Sequence, residues 1–149
     1  MNLKNVNYFM KLRQLRLPLN QCLIVGSGTM ALLGIKKNND LDVWVTDAVY
    51  NMMKNDRNLI PVEKEGRIFY ETKDGNFEAS NEMPCTKGPV QMYLKRAMVF
   101  YGLHFQALDD VIAWKKCMNR PKDRKDLELI NKYKKNKVNE NYLDILKRM

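Results

Sequence analysis

Asp40 and Asp42 flank Leu41 at the start of the β-prone run Leu41–Val45. Residues two apart on a strand point to the same face, so these two carboxylates would stand side by side, with Leu41 and Val43 turned to the other face. Like charges held that close raise each other's pKa and repel unless a cation sits between them. Mg2+, or Mn2+ in its place, is the hard ion suited to carboxylate and phosphate oxygens. The plainer reading is a solvated edge with two aspartates, and the depletion of Asp in strands weighs against it. Upstream, the apolar run 22–25 leads into Gly26, Ser27, Gly28 and Thr29 and then a short apolar stretch. A strand, a glycine turn and a helix in that order offer backbone N–H groups to a phosphate. Gly26 and Gly28 would allow close approach, and the Ser27 hydroxyl could donate to a phosphate oxygen. The turn is neither the Walker pattern nor the dinucleotide fingerprint, and alone it is an ordinary turn. Its force comes from Asp40 and Asp42 following within one helix and a loop.

A second constellation lies near the C-terminus. On a helix over 108–118, Lys115 falls four after Val111 and three after Ile112, in the middle of the apolar face. On a helix starting at Pro121, Asp123 lies four before Leu127 and Asp126 four before Ile130, so both aspartates share the apolar face. Charged groups centred on apolar faces are seldom buried unless paired or used. Two readings are compatible: a Lys–Asp pair that locks two helices together, and a Lys115 that reaches a triphosphate while Asp123 and Asp126 orient it.

The elements that must position these groups follow from periodicity and punctuation. Helical spacing over 3–17 is ended by Pro18, and 22–25 reads as a buried strand. A short helix over 30–33 is stopped by Gly34, Leu41–Val45 is a strand, and 47–55 is a surface helix. Arg67–Thr72 and 76–80 flank Lys73-Asp74-Gly75, a strong hairpin signal. Then come a helix near 90–100, a short strand near 104–107, helices at 109–118 and 121–133, and a last helix within 136–149. The expected fold class is α/β (α+β): a small mixed β-sheet core flanked by helices over 1–107, with a helical C-terminal part over 108–149 packed on it as one compact unit. His104, Trp44 and Trp114 read as packing residues, and the ten methionines as filler.

The segment 24–45, from Ile24-Val-Gly-Ser-Gly-Thr through Asn39-Asp-Leu-Asp-Val-Trp-Val45, resembles the signature of the DNA polymerase β-like nucleotidyltransferase superfamily. Its Ser-Gly-Thr-x-Ala-Leu form is similar to the abortive-infection (AbiEii-like) and type IV toxin branch. So is the Lys115, Arg120, Asp123-Arg-Lys-Asp126 block. The resemblance spans 22–45 and 107–130. Where the family often carries Arg before the Asp pair, this chain has Lys36 and Lys37. The resemblance implies transfer of a nucleoside monophosphate from a nucleoside triphosphate to a hydroxyl. Asp40 and Asp42 would hold Mg2+ or Mn2+, and Gly26, Ser27, Gly28, Thr29, Lys115, Arg120, Asp123 and Asp126 would bind nucleotide. A third carboxylate on a later strand, as metal ligand or base, would be Glu78, with Glu71 and Glu82 as rivals. The branch implies an RNA acceptor such as a tRNA 3′ end and an antitoxin as a partner protein. Other branches serve small-molecule acceptors such as antibiotics, and a nucleotide- or RNA-binding module with a degenerate site is the non-enzymatic alternative.

Composition bounds the rest. The net charge is +9, and from Lys115 onward twelve Lys or Arg face five Asp or Glu. A basic surplus suits a phosphate-bearing partner through counterion release, although lysine-rich surfaces also occur on proteins that bind nothing. No run approaches the length of a membrane span, and the N-terminal residues do not read as a leader, which points to a cytoplasmic setting. Cys22, Cys85 and Cys117 are odd in number and lack metal-ligand spacing, so three reduced thiols are expected.

Overall fold

A computed structural model describes residues 6–38 and 40–148; Leu3, part of the expected first helix, lies outside them. The chain forms helix α1 (Val6–Gln14), a 3-10 turn at Leu19–Gln21, strand β1 (Cys22–Ile24), α2 (Ser27–Leu32), β2 (Leu41–Val45) and α3 (Asp47–Met53). There follow β3 (Leu59–Lys64), β4 (Arg67–Thr72), β5 (Phe77–Ser80), α4 (Val90–Arg96), β6 (Met98–Phe100), β7 (Leu103–Phe105), α5 (Leu108–Met118) and α6 (Pro121–Arg148). The strands build one mixed seven-stranded sheet in the order β3-β4-β5-β2-β1-β7-β6. This is the expected α/β class.

Alternation along the strands sorts the sheet into two faces. Cys22, Ile24, Leu41, Val43, Val45, Phe77, Ala79, Leu103 and Phe105 join Phe9 and Leu12 of α1 and Val49 and Met53 of α3 in the main core. Phe9 meets Phe105 edge to face at 5.0 Å, an arrangement aromatic rings favour. On the opposite face Leu23, Val25 and Trp44 pack under Val90 and Tyr93 of α4. Met30, Val111 and Ile130 form a third cluster that fastens α2, α5 and α6 together.

The order of pairing sets the site. β1 runs antiparallel to β2 and parallel to β7, and β2 runs parallel to β5, with Asp42 opposite Glu78. The expected hairpin forms between β4 and β5, with Glu71 opposite Glu78, and Asp74 accepts from the Thr72 hydroxyl and the Asn76 N–H in the turn.

Several elements differ from expectation. β3 was not foreseen; it pairs with β4 through Glu65 and Gly66, both at positive φ (54° and 76°), the backbone of a tight hairpin. Pro61 and the charged residues around it hide the strand, and an edge position tolerates them. The helix expected over 90–100 stops at Arg96, because Ala97 turns extended and Met98–Phe100 enters the sheet as β6. The short helix expected over 30–33 begins at Ser27 instead, so the glycine turn is itself the helix's first turn. α6 runs unbroken to Arg148; no Gly or Pro interrupts it, and only its loss of apolar periodicity suggested a break. Beyond Tyr133 its side chains are exposed.

The cysteine expectation is overturned for two of the three residues. Cys85 and Cys117 form a disulfide with their Cα atoms 6.0 Å apart, while Cys22 is free and buried, its thiol pushed up to about 12 by burial. The loop after β5 folds back on α5, where Trp114 Nε1 donates to Pro84 O at 2.9 Å. That return, invisible in the spacing of the two residues, brings the cysteines together. Such bonds persist in oxidising surroundings, so the cysteines lend the cytoplasmic expectation no support. No described helix is long and apolar enough to cross a membrane.

Candidate active site

A cleft of about 390 Å3 opens between the α4-side face of the sheet and the α5–α6 pair. From the sheet it takes Asp42, Trp44, Phe69, Glu78 and Ser80; from the turn, Gly26 and Ser27; from the helical side, Trp114, Lys115, Arg120, Lys122 and Asp126. The two sequence constellations, some seventy residues apart along the chain, therefore meet in one cavity.

The turn is held from behind. Gly26 sits at φ 62°, ψ −119°, a conformation that favours glycine. Its N–H donates to the Gln106 Oε1 at 3.0 Å, and the ring of Trp114 closes over the position where its Cβ would be. Gly28 and Thr29 do not line the cleft. A Cβ on Gly28 would lie 2.3 Å from Ile24 Cγ2, so that glycine is required by packing of α2 on β1. The Thr29 hydroxyl donates to Gln106 O at 2.7 Å and is fully buried. Of the expected four, Gly26 and Ser27 face the cavity, and Gly28 and Thr29 support it. Gln106, which braces both ends of the turn, carried no signal in the sequence beyond its place before α5.

The carboxylates gather on the cleft's sheet side. Asp42, Glu78 and Glu71 occupy successive register positions across β2, β5 and β4. Asp42 is open to the cleft mouth, yet its carboxyl is pushed up to about 6, first by the surrounding protein, then by repulsion from Asp40 and Glu78. Asp40 lies one residue before β2 and outside the cavity lining, and its carbonyl accepts from the Asn38 side chain. Among the described residues neither Asp40 nor Asp42 belongs to an ion pair. Glu71 and Glu78 both face Lys64, at 2.9 and 3.7 Å. Of the three candidate glutamates, Glu78 is the register partner of Asp42 and lines the cleft, Glu71 stands one strand farther and outside the lining, and Glu82 lies past the end of β5 but also lines the cleft.

Two carboxylates outside any ion pair among the described residues, two positions apart at the start of β2, are oxygen donors of the kind a hard divalent ion takes. Asp40 and Asp42 are the residues that would hold it. No group of three carboxylate, His or Cys side chains among the described residues is arranged as a metal-ligand set.

Across the cleft the charges alternate. Lys115 is 3% exposed and reaches Asp126 at 2.9 Å and Asp123 at 3.6 Å. Lys36 holds the other Asp126 oxygen at 2.9 Å, and Arg120 grips Asp123 through Nε at 2.6 Å and its backbone N–H at 3.0 Å. Burial alone would raise both carboxyls, but Arg120 outweighs it at Asp123, and Lys36 with Lys115 outweighs it at Asp126, so both lie below the usual range. The helix-locking Lys–Asp pair is thus present. It is also part of the cleft wall, through Lys115 and Asp126, while Asp123 stays behind it. Three cations share two carboxylates, and Lys122 adds a fourth positive charge to the rim. Lys36, in the loop where the resembled family often carries Arg, enters this network through its ion pair with Asp126. Trp114, read as packing, forms the wall itself, with the Lys115 and Arg120 charges 5.5 and 5.3 Å from its ring.

A second groove of about 640 Å3 continues from the cleft past Trp44, Glu65, Arg67, Glu82, Met83 and Pro84 to Asp47, Asn81 and Thr86. It is the larger cavity, but Asp42, Glu78 and the basic network border the smaller one. No known family model, curated protein or solved structure matches this chain.

Proposed function

We propose that this protein is a nucleotidyltransferase that moves a nucleoside monophosphate from a nucleoside triphosphate to a hydroxyl group, releasing pyrophosphate. The observation that carries the reading is the single cleft in which the Gly26-Ser27 turn, the Asp42–Glu78 pair and the Lys36, Lys115, Arg120 and Lys122 cations converge. Gly26 and Ser27 bind phosphate oxygens at the start of α2. Lys115, fixed by Asp126 and Asp123, presents a charge that needs no reorganisation as the leaving pyrophosphate gains charge. Glu78, beside Asp42, takes the proton of the acceptor hydroxyl. Asp40 and Asp42 are the residues that would hold a divalent cation, which would supply positive charge against the negative charge that develops during transfer.

For the acceptor, the basic surface of α6 (Lys132, Lys134, Lys135, Lys137) supports an RNA such as a tRNA 3′ end. A second reading has an observation of its own. The adjoining groove sets Asp47, Glu65 and Glu82 against the single cation Arg67 on a chain of net charge +9, which suits a small cationic hydroxyl compound. Incubation with each labelled triphosphate and Mg2+, with either total RNA or a panel of amine-bearing polyols, separates the two. Label is expected in RNA, and label only in a polyol supports the second reading. Label in neither, with no nucleotide-dependent rise in Tm, removes the function proposed.

A further inference from the structure

The hairpin β3–β4 delivers a cation to the carboxylate row. Lys64 pairs with Arg67 in register, and both lie on the same face as Glu71 and Glu78. Its ammonium stands 2.9 Å from Glu71 and 3.7 Å from Glu78. The row across β2, β5 and β4 therefore divides. Asp42 and Asp40 belong to no ion pair among the described residues, while Glu78 and Glu71 share Lys64.

Two-metal phosphoryl-transfer sites use a third carboxylate to hold the second ion, and the two ions lie about 4 Å apart. Here the group in that place already faces an ammonium. A second divalent ion beside Glu78 would have to displace Lys64 or share its position, against the repulsion of like charges. We propose that this site takes one divalent cation, on Asp40 and Asp42, and that the Lys64 ammonium stands where a second ion would otherwise sit. The inference rests on the nucleotidyltransferase reading and refines it: Glu78 is held for proton transfer and is not a metal ligand. Lys64 acts through Glu78 and is a positioning residue.

The test counts ions. Mn2+ is titrated into the full chain with an equimolar nucleoside triphosphate analogue that cannot transfer, and free Mn2+ is followed by its paramagnetic resonance signal. The wild type is expected to bind one Mn2+ per complex, and Lys64→Met and Lys64→Gln two. Lys64 is 46% exposed on the edge strand, so both variants are expected to fold, which a melt verifies. Two ions in the wild type, or one in all three proteins, overturns the inference and leaves the function standing. No Mn2+ bound to any of them, together with no nucleotide bound, fails the underlying function instead.

Discussion

Replacing Lys115 by Met isolates what the buried cation does. The methionine keeps most of the side-chain volume, so the loss is chiefly the charge and its contacts to Asp126 at 2.9 Å and Asp123 at 3.6 Å. Stripping the partner from a bare buried charge costs about 3–5 kcal/mol. Neither aspartate is left bare, however: Asp123 keeps Arg120 through three hydrogen bonds and Asp126 keeps Lys36. The expected cost is therefore smaller, about 2 kcal/mol, or a fall in Tm of about 4–8 °C for a chain of this size. Lys116, next in sequence, is exposed, and Lys116→Met should stay within about 0.5 kcal/mol. The functional consequence is read well below Tm by nucleotide titration, where Lys115→Met should weaken triphosphate binding at least tenfold and Lys116→Met less than twofold. Equal losses in the two variants would refute the assignment of Lys115 to the cleft wall. A large fall in Tm with unchanged affinity would leave the lysine as a helix lock and nothing more.

Asp42→Asn should test the raised carboxyl, lifted first by burial and then by Asp40 and Glu78. The wild-type carboxyl moves from an ordinary value of 3.8 to about 6 on folding, so the folded chain retains a proton that the unfolded chain releases, and the wild type loses stability as pH rises through that window. The variant should match the wild type below about pH 4, exceed it increasingly up to about pH 6 and hold the gain above, while Mg2+ raises only the wild-type Tm; thermal melts across pH with and without EDTA check this. Reducing the Cys85–Cys117 bond, which spans 32 residues, should cost about 3–4 kcal/mol by the loop-entropy relation, and an unchanged denaturant midpoint in dithiothreitol would contradict it. Changing Lys132, Lys134, Lys135 and Lys137 together to Gln should raise KM for RNA and flatten its salt dependence with nucleotide affinity unchanged; identical RNA kinetics across a salt series would favour the small cationic acceptor.

What was legible in the sequence is what local chemistry dictates. The Asp-Leu-Asp alternation placed Asp42 on the face opposite Leu41 and Val43, and the helical phases of Lys115, Asp123 and Asp126 foretold their burial. What stayed hidden depends on pairings distant in the chain. Lys64 reaches the carboxylate row only because a proline-bearing edge strand pairs with β4. Gln106 braces the glycine turn because β7 lies parallel to β1. Gly28 looked like a phosphate contact, and only the approach of Ile24 reveals it as a packing requirement. The disulfide likewise follows from how one loop returns to α5.

The central claim is that the cleft transfers the α-phosphoryl group with its nucleoside. Parallel reactions with the same triphosphate carrying label at either the α or the γ phosphorus, with Mg2+ and acceptor present, test it most directly. Label in the acceptor from the α-labelled substrate alone, with γ label recovered in pyrophosphate and both signals lost in Asp42→Asn, is the predicted result. Acceptor labelled from the γ position, or α transfer that persists undiminished in Asp42→Asn, would contradict it.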